Sequence, residues 1–223
     1  MSLPRRVRAV VFDMDGLLLD TETVFRDALR AEALAIGRDF PAEVFLQMLG
    51  HDNTNQDRMI AAHFGEPFEL LPFREAVRAR CRAVLDAGNC LKEGVMELLA
   101  DLDAAATPRA IATSSTRKSV ELNLGPTGIS ERFDILVTGD MVGRTKPHPE
   151  PFLTAAELLG VDPADCLALE DSYNGVRSAA AAGMMTVMVP DLLDATDEMQ
   201  GLCVRIAADL HEVRELIRAA SRA

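Results

Sequence analysis

The chain has 223 residues, 48% of them hydrophobic, which is enough to bury one or two globular cores. Its formal net charge of −12 argues against a general binder of nucleic acid or of an anionic membrane surface. The four cysteines show no C-x-x-C spacing, so we expect reduced thiols and neither a zinc site nor a disulfide framework. No stretch has transmembrane length, and no signal peptide is recognisable. These features predict a cytoplasmic location without a membrane partner.

The first predicted element is a buried strand near the N-terminus. An apolar, β-branched run ends at Phe12, and two carboxylates, Asp13 and Asp15, follow one residue apart. Strand geometry turns both to the same side, before Gly16 lets the backbone break off. Because buried carboxylates need a positive partner, we interpret one as a nucleophile and the other as an acid/base, with a divalent cation between them. The alternative is an acidic loop that caps a helix.

A helical segment comes next. Apolar residues recur at helical spacing, glycine and proline mark the ends of the periodic stretches, and no strand pattern appears between Asp20 and Ala87. We predict four helices, over residues 23–36, 41–49, 54–63 and 72–86. The chain therefore divides into an inserted helical domain, residues 21–87, and a second domain formed by residues 1–20 and 88–223.

Strands and helices alternate in the rest of the chain. The predicted strands are residues 109–112, 133–137, 166–169 and 184–189. The predicted helices are residues 94–104, 117–124, 149–159 and 174–182, followed by a C-terminal helix. This alternation predicts an α/β fold with a doubly wound parallel sheet and right-handed crossovers. Such sheets place their sites beyond the carboxyl ends of the strands.

Polar residues stand at several of these predicted strand ends. Thr113 and Ser114 follow the second strand, where hydroxyls and backbone N–H groups at a helix start can bind a phosphate. Lys146, one of only three lysines, lies in a proline-rich loop and can supply a fixed positive charge. Glu170 and Asp171 follow a further strand and offer hard oxygen ligands to a cation. Each has a simpler interpretation, as a helix cap or a surface lysine. Together they supply the parts of phosphoryl transfer through an aspartyl-phosphate.

In this combination and order, the motifs resemble those of the haloacid dehalogenase superfamily, in the branch with β-phosphoglucomutase and small sugar-phosphate phosphatases. The resemblance covers nearly the whole chain and implies a Rossmann-like core. It also implies that the helical insert is a mobile cap, with hinges near Asp20 and Gly88.

The resemblance also implies a role for each matching residue. Asp13 corresponds to the nucleophile and Asp15 to the general acid/base. Thr113 and the Ser114 amide correspond to the phosphate-binding pair, and Lys146 to the lysine that bridges phosphate and nucleophile. The Mg²⁺ ligands would be Asp171 with help from Glu170, alongside Asp13 and the Asp15 carbonyl.

Two features narrow the reaction class within this family. Its dehalogenases lack the second aspartate, so the presence of Asp15 favours phosphoryl transfer. Its phosphonatases use a cap lysine, and residues 21–87 contain none. We therefore predict a monomeric, Mg²⁺-dependent phosphatase of a small phosphorylated metabolite, either a sugar or a polyol phosphate. The alternatives are a phosphosugar mutase and, third, a non-catalytic interaction protein on the same fold.

Substrate specificity is predicted only loosely. His51, Asp52 and Asn53 stand where caps of the family carry a specificity loop, although a helix-capping loop is an equal alternative. By position, Phe25 replaces the cap histidine of the family's mutase and Asn53 replaces its cap arginine. Neither side chain neutralises a second phosphate, which favours a phosphatase. Arg58 or an arginine of the fourth helix could substitute. The natural substrate does not follow from the sequence.

Overall fold

The computed structural model describes residues 3–49, 53–88 and 90–222. The chain forms two compact units, one comprising Met1–Asp20 with Leu91–Ala223 and the other comprising Thr21–Cys90. We call them the sheet unit and the helical unit. Across the described ranges, no helix is both long enough and apolar enough to cross a membrane. The four cysteines all carry free thiols.

The sheet unit is built on six parallel strands. They are Ala9–Phe12 (β1), Arg109–Ala112 (β2), Ile135–Val137 (β3), Cys166–Glu170 (β4), Met185–Met188 (β5) and Arg205–Ile206 (β6). Their order in the sheet is β3-β2-β1-β4-β5-β6. β1 lies between β2 and β4, with Val11 paired to Ala110 on one side and to Ala168 on the other. The predicted α/β fold with a doubly wound parallel sheet is confirmed.

The helical unit follows β1 directly along the chain. Its helices among the described residues are Thr21–Ala35 (α1), Ala42–Met48 (α2), Asn53–Phe64 (α3) and Leu70–Asp86 (α4). Each lies within about two residues of a predicted helix. After α4, Gly88 has a φ of +70°, a conformation that glycine adopts easily just beyond a helix end. That this unit acts as a mobile cap stays a prediction.

The remaining helices surround the sheet. They are Val95–Ala104 (α5), Arg117–Leu124 (α6), Glu150–Leu159 (α7), Tyr173–Ala181 (α8), Asp197–Leu202 (α9) and Leu210–Arg222 (α10). Every residue of β1, β2, β4 and β5 is buried, which explains why these strands are largely apolar and show no alternation. On one face, strand alanines pack against Phe152 and Ala155 of α7.

The last strand and the helix before it were not predicted from the sequence. β6 is only two residues long and half-buried, so the sequence there contains no apolar run from which a strand could be predicted. Its position is decided by pairing with β5, where Val187 faces Arg205. The predicted single C-terminal helix is instead preceded by α9 and β6. This region lies at the sheet edge that is remote from β1.

Candidate active site

The nucleophile candidate Asp13 continues β1 by one residue. Its backbone N–H donates to the Leu169 carbonyl at 3.0 Å, so the strand pairing with β4 holds it in place. Only 7% of Asp13 is exposed. At Gly16 the backbone has a φ of +86°, and a Cβ there would lie 2.1 Å from Asp171 Oδ2. The glycine therefore allows the acidic residue after β4 to approach the turn after β1.

Lys146 connects the ends of these two central strands. Its ammonium donates to Asp13 Oδ1 and, at 2.5 Å, to Glu170 Oε1. The Lys146 side chain is only 5% exposed, and its nitrogen lies 5.1 Å from the centre of the Phe152 ring. A buried ammonium needs such partners, because burial alone disfavours the charged form. The loop lysine is therefore part of the cluster and not a surface residue.

Glu170 is completely buried and has hydrogen bonds on both carboxylate oxygens. While Oε1 accepts from Lys146, Oε2 accepts from the backbone N–H groups of Asp171 and Ser172, at 3.1 and 3.2 Å, and from the Ser172 hydroxyl at 3.0 Å. A Cβ on Gly175 would lie 1.8 Å from the Glu170 carboxyl carbon, so the first turn of α8 has a glycine where the carboxylate needs space. Glu170 is thus fixed in a position that holds the lysine.

The segment after β2 approaches Asp15. The Thr113 N–H donates to the Val137 carbonyl at 3.0 Å, and the Thr113 hydroxyl accepts from the Ser115 N–H at 3.0 Å. The Ser115 hydroxyl donates to Asp15 Oδ2 at 2.8 Å. This contact between Ser115 and Asp15 was not predicted from the sequence. The sequence shows a third hydroxyl residue in the Thr-Ser-Ser run, but it does not show which neighbouring strand that hydroxyl faces.

The backbone of Ser114 lies tightly against the segment after β3. The Gly139 N–H donates to the Ser115 carbonyl at 2.9 Å, and a Cβ on Gly139 would lie 2.4 Å from the Ser114 carbonyl oxygen. Any side chain at position 139 would push this segment away. The structure therefore fixes the backbone of the predicted phosphate-binding residues through a close approach at a glycine.

The pKa values of the cluster reflect many carboxylates around one ammonium. Burial, together with the charges of Glu170 and Asp15, raises the pKa of Asp13 to about 8 although Lys146 opposes the shift. Burial and the carboxylates of Asp13 and Glu170 also raise the pKa of Asp171 well above its ordinary value. Burial alone would lower the pKa of Lys146, but the same two carboxylates outweigh it and raise this pKa. Negative charge is in excess here.

The excess charge and the donor atoms fit a divalent cation. Among the described residues, Asp13, Glu170 and Asp171 offer carboxylate oxygens that all lie within 4.8 Å of one another. Oxygen is the donor that Mg²⁺ prefers, and its charge would offset the repulsion that raises the pKa values of Asp13 and Asp171. The donor set is therefore suited to a hard cation.

Among the described residues, the predicted specificity residues do not belong to this cluster. His148, close to Lys146 in the chain, does not join the acidic cluster either: its Nδ1 accepts from the Glu150 N–H at 3.2 Å. His51 and Asp52 lie outside the described residues. Asn53 is the first residue of α3. Their predicted part in specificity stays a prediction.

The sheet topology and this cluster define a class of protein. It is an α/β enzyme of the hydrolase and phosphotransferase type, with acidic residues and a lysine at the carboxyl ends of the central parallel strands. The profile of haloacid dehalogenase-like hydrolases matches residues 7–183, and the chain belongs to that family. The predictions of family and of an enzyme of this hydrolase class are confirmed.

Relatives and solved structures agree with this assignment. A probable pseudouridine-5'-phosphatase of Drosophila melanogaster is 37% identical over 193 residues, 84% of this chain and 83% of that protein. Hexitol phosphatase B of Escherichia coli K12 is 32% identical over 195 residues, 85% of this chain and 86% of that protein. The crystal structure of a candidate β-phosphoglucomutase from Thermotoga maritima superposes with a TM-score of 0.80 and 26% identity, over 97% of this chain and 100% of that one.

Proposed function

We propose that the protein is a Mg²⁺-dependent phosphatase that hydrolyses a small phosphorylated sugar or polyol through an aspartyl-phosphate on Asp13. The observation that carries the proposal is the Lys146 ammonium, which is buried and bonded to both Asp13 and Glu170. This arrangement places the one cation of the described cluster against the proposed nucleophile. The named activities of the relatives support the substrate class.

In the first half-reaction, a carboxylate oxygen of Asp13 attacks the phosphorus atom and the bond from phosphorus to the ester oxygen breaks. Asp15 donates its proton to the leaving alkoxide, so that a neutral alcohol departs. Lys146 stabilises negative charge on the transferring group, and Thr113 with the Ser114 amide holds the phosphoryl oxygens. Ser115, through its bond to Asp15 Oδ2, orients the acid/base.

In the second half-reaction, Asp15 takes a proton from water, and the water oxygen attacks the phosphorus of the aspartyl-phosphate. The bond to Asp13 breaks, and inorganic phosphate and the free carboxylate result. The residues that would hold Mg²⁺ are Asp13, Asp171 and the Asp15 carbonyl, with Glu170 beside them. When bound, Mg²⁺ supplies charge neutralisation at the phosphoryl oxygens and at the clustered carboxylates.

The proposal is tested with a generic aryl phosphate, p-nitrophenyl phosphate, with and without Mg²⁺. Release of p-nitrophenol and inorganic phosphate in Mg²⁺, and its loss in Asp15→Asn, support the proposal. Complete inactivity of the wild type would instead favour the non-catalytic interaction protein. A panel of phosphorylated sugars, polyols and short acids then ranks kcat/KM and identifies the substrate class.

A phosphosugar mutase is the second candidate, because the structure from Thermotoga maritima shares the fold over nearly the whole chain. The residue at position 25 argues against a mutase, because Phe25 stands where the family's mutase has its cap histidine. Phe25 lies in α1 with its ring centre 6.0 Å from that of Phe45 and 5.5 Å from the Arg74 guanidinium carbon, so it packs inside the helical unit. With β-glucose 1-phosphate and a trace of the bisphosphate, we expect inorganic phosphate and no glucose 6-phosphate. Rapid isomerisation with little phosphate would establish the mutase instead.

We also propose that the helical unit is a mobile cap that closes over the substrate. The active site must admit water in one half-reaction and exclude water in the other. A moving domain can provide both conditions. Crystal structures with and without a phosphate mimic are expected to differ by a rotation near Asp20 and Gly88. An unchanged arrangement in both would remove this proposal. The monomeric state and the cytoplasmic location stay predictions.

A further inference from the structure

The loop that carries Lys146 is held by an acidic residue outside the catalytic cluster. Glu150 is the first residue of α7, and both of its carboxylate oxygens accept backbone hydrogen bonds. Oε1 accepts from the Gly143 N–H at 2.6 Å, and Oε2 accepts from the Arg144 N–H at 3.1 Å. These two N–H groups stand two and three residues before Lys146. The start of α7 is thus bonded to the start of the lysine loop.

Three further hydrogen bonds hold the other end of this loop. The His148 N–H donates to the Thr145 carbonyl at 3.0 Å, across Lys146, and His148 Nδ1 accepts from the Glu150 N–H at 3.2 Å. The His148 carbonyl accepts from the Ser178 hydroxyl of α8 at 2.5 Å. Because α7 also packs on the sheet through the buried Phe152, the loop is anchored to the buried core of the unit.

The anchor matters because a lysine is difficult to place. Its four-carbon side chain loses about 2 kcal/mol of rotamer freedom when it is fixed, and its charge acts without directional geometry of its own. A fixed backbone limits how far the Lys146 ammonium can move from its position between Asp13 and Glu170. A displacement of about 1 Å in a reacting group can lower a rate roughly 100-fold. Among the described residues, the Glu150 carboxylate accepts from the loop backbone at Gly143 and Arg144 and is not a member of the acidic cluster of Asp13, Glu170 and Asp171.

We propose that Glu150 is a positioning residue for phosphoryl transfer, which acts through Lys146 by fixing the backbone of residues 143 and 144. The inference rests on the proposed role of Lys146 as the fixed charge of the site. A carboxylate is needed because it accepts from two successive N–H groups at once, whereas an amide in its place offers one acceptor oxygen and one donor group. Loss of this positioning is expected to lower kcat, because the Lys146 ammonium must be in place as charge develops in the transition state.

The test is a double-mutant cycle with p-nitrophenyl phosphate as the probe. Glu150→Gln in the wild-type background is expected to lower kcat by about 10- to 100-fold while KM changes little. In the Lys146→Met background, the same change is expected to lower kcat less than about twofold, because the group it positions is already absent. A residue that merely stabilises the fold would lower kcat equally in both backgrounds, and that result would overturn the proposal.

Two further variants separate positioning from stability. Thr196→Ala removes the hydroxyl that accepts from the Met199 N–H at the start of α9. It is the matched control, because it also removes an interaction at a helix start, and its kcat is expected to stay unchanged. Glu150→Asp keeps both oxygens and is expected to retain more activity than Glu150→Gln. If Glu150→Gln does not fold, the cycle is run with Glu150→Asp, and an equal effect in both backgrounds again refutes the proposal. Loss of activity in Lys146→Met alone tests the proposed function separately.

Discussion

The sheet unit and the helical unit bury different kinds of side chain. In the sheet unit, charged and hydroxyl groups such as Asp13, Thr113 and Glu170 are almost fully buried. In the helical unit, the rings of Phe64, Phe68 and Phe73 pack in pairs with centres 4.5 to 5.4 Å apart. Buried charge requires exact partners and costs free energy, whereas an aromatic cluster stabilises through contact area. The buried charged and hydroxyl groups of the sheet unit therefore indicate a reactive site, and the aromatic cluster of the helical unit indicates a packed core.

One residue departs from this division. Arg74 of α4 is 5% exposed, with its guanidinium carbon 5.5 Å from the centre of the Phe25 ring and its Nε 2.8 Å from Asp57 Oδ1. Burial lowers its pKa, although the neighbouring Asp57 opposes that shift. In the described part of the helical unit, Arg74 is the charged side chain with the deepest burial. It therefore tests whether buried charge in this unit serves stability or activity.

The largest effect is expected in the sheet unit from Asp13→Asn. An amide is not a nucleophile of useful strength, so we expect kcat for p-nitrophenyl phosphate to fall at least about 10,000-fold. Thermal unfolding of the variant serves as the control for folding. Near wild-type phosphate release by a folded Asp13→Asn protein would show that the chemistry lies elsewhere, and the comparison between the two units would lose its basis.

Removal of the metal comes next. We expect excess chelator to abolish phosphate release and Mg²⁺ to restore it. Ca²⁺ is expected to inhibit, because it takes more oxygen ligands at longer distances and would misalign Asp13. Titration of the metal-free protein by calorimetry measures Mg²⁺ binding directly. Unchanged activity in chelator would contradict the assignment of the acidic cluster to a cation.

The raised pKa of Asp13 predicts how Mg²⁺ binding depends on pH. Protons compete with the metal below a pKa of about 8, so the apparent Kd for Mg²⁺ is expected to rise about tenfold for each unit below that pH. Between these pKa values and without metal, Asp13 holds a proton in the folded state, whereas in the unfolded state, where its pKa is 3.8, it has released that proton. Stability of the metal-free protein therefore falls as pH rises from about 4 to about 8. A flat Kd between pH 6 and 8 would refute this.

A smaller effect is expected from Asp57→Asn in the helical unit. The change leaves the buried Arg74 guanidinium without an ionised partner, so the free energy of unfolding should fall by about 2 kcal/mol. The measurement is urea unfolding. We expect kcat of the folded protein to change less than about threefold, and Asp57→Asn combined with Arg74→Met to recover part of the stability. A large loss of kcat at full stability would assign Arg74 to substrate binding instead.

The smallest effect is expected from Thr196→Ala at the start of α9. Loss of one helix cap costs about 1 kcal/mol, and we expect a correspondingly small decrease in the melting temperature with unchanged kcat and KM. The measurement is thermal unfolding beside a standard assay. A change in KM would show that this remote edge of the sheet unit affects the substrate.

Much of the fold and the identity of the acidic and basic site candidates followed from the sequence by itself. Buried strands of a parallel sheet are continuous apolar runs, and the residues at their ends, such as Asp13, Thr113 and Glu170, are visible one after another in the chain. Helical spacing with glycine and proline at the boundaries placed the four helices before residue 87. These signals are local, because each depends on neighbours within a few positions.

Only the tertiary structure decided which of these residues touch. Lys146 meets Asp13 across 133 positions of sequence, and the Ser115 hydroxyl reaches Asp15 across 100. The support of the lysine loop by Glu150 and the pairing of β6 with β5 were likewise not predicted. The physical reason is the same in each case. A side chain's partners are set by sheet pairing and by close approach at glycines 16, 139 and 175, and a periodic pattern contains no information about either.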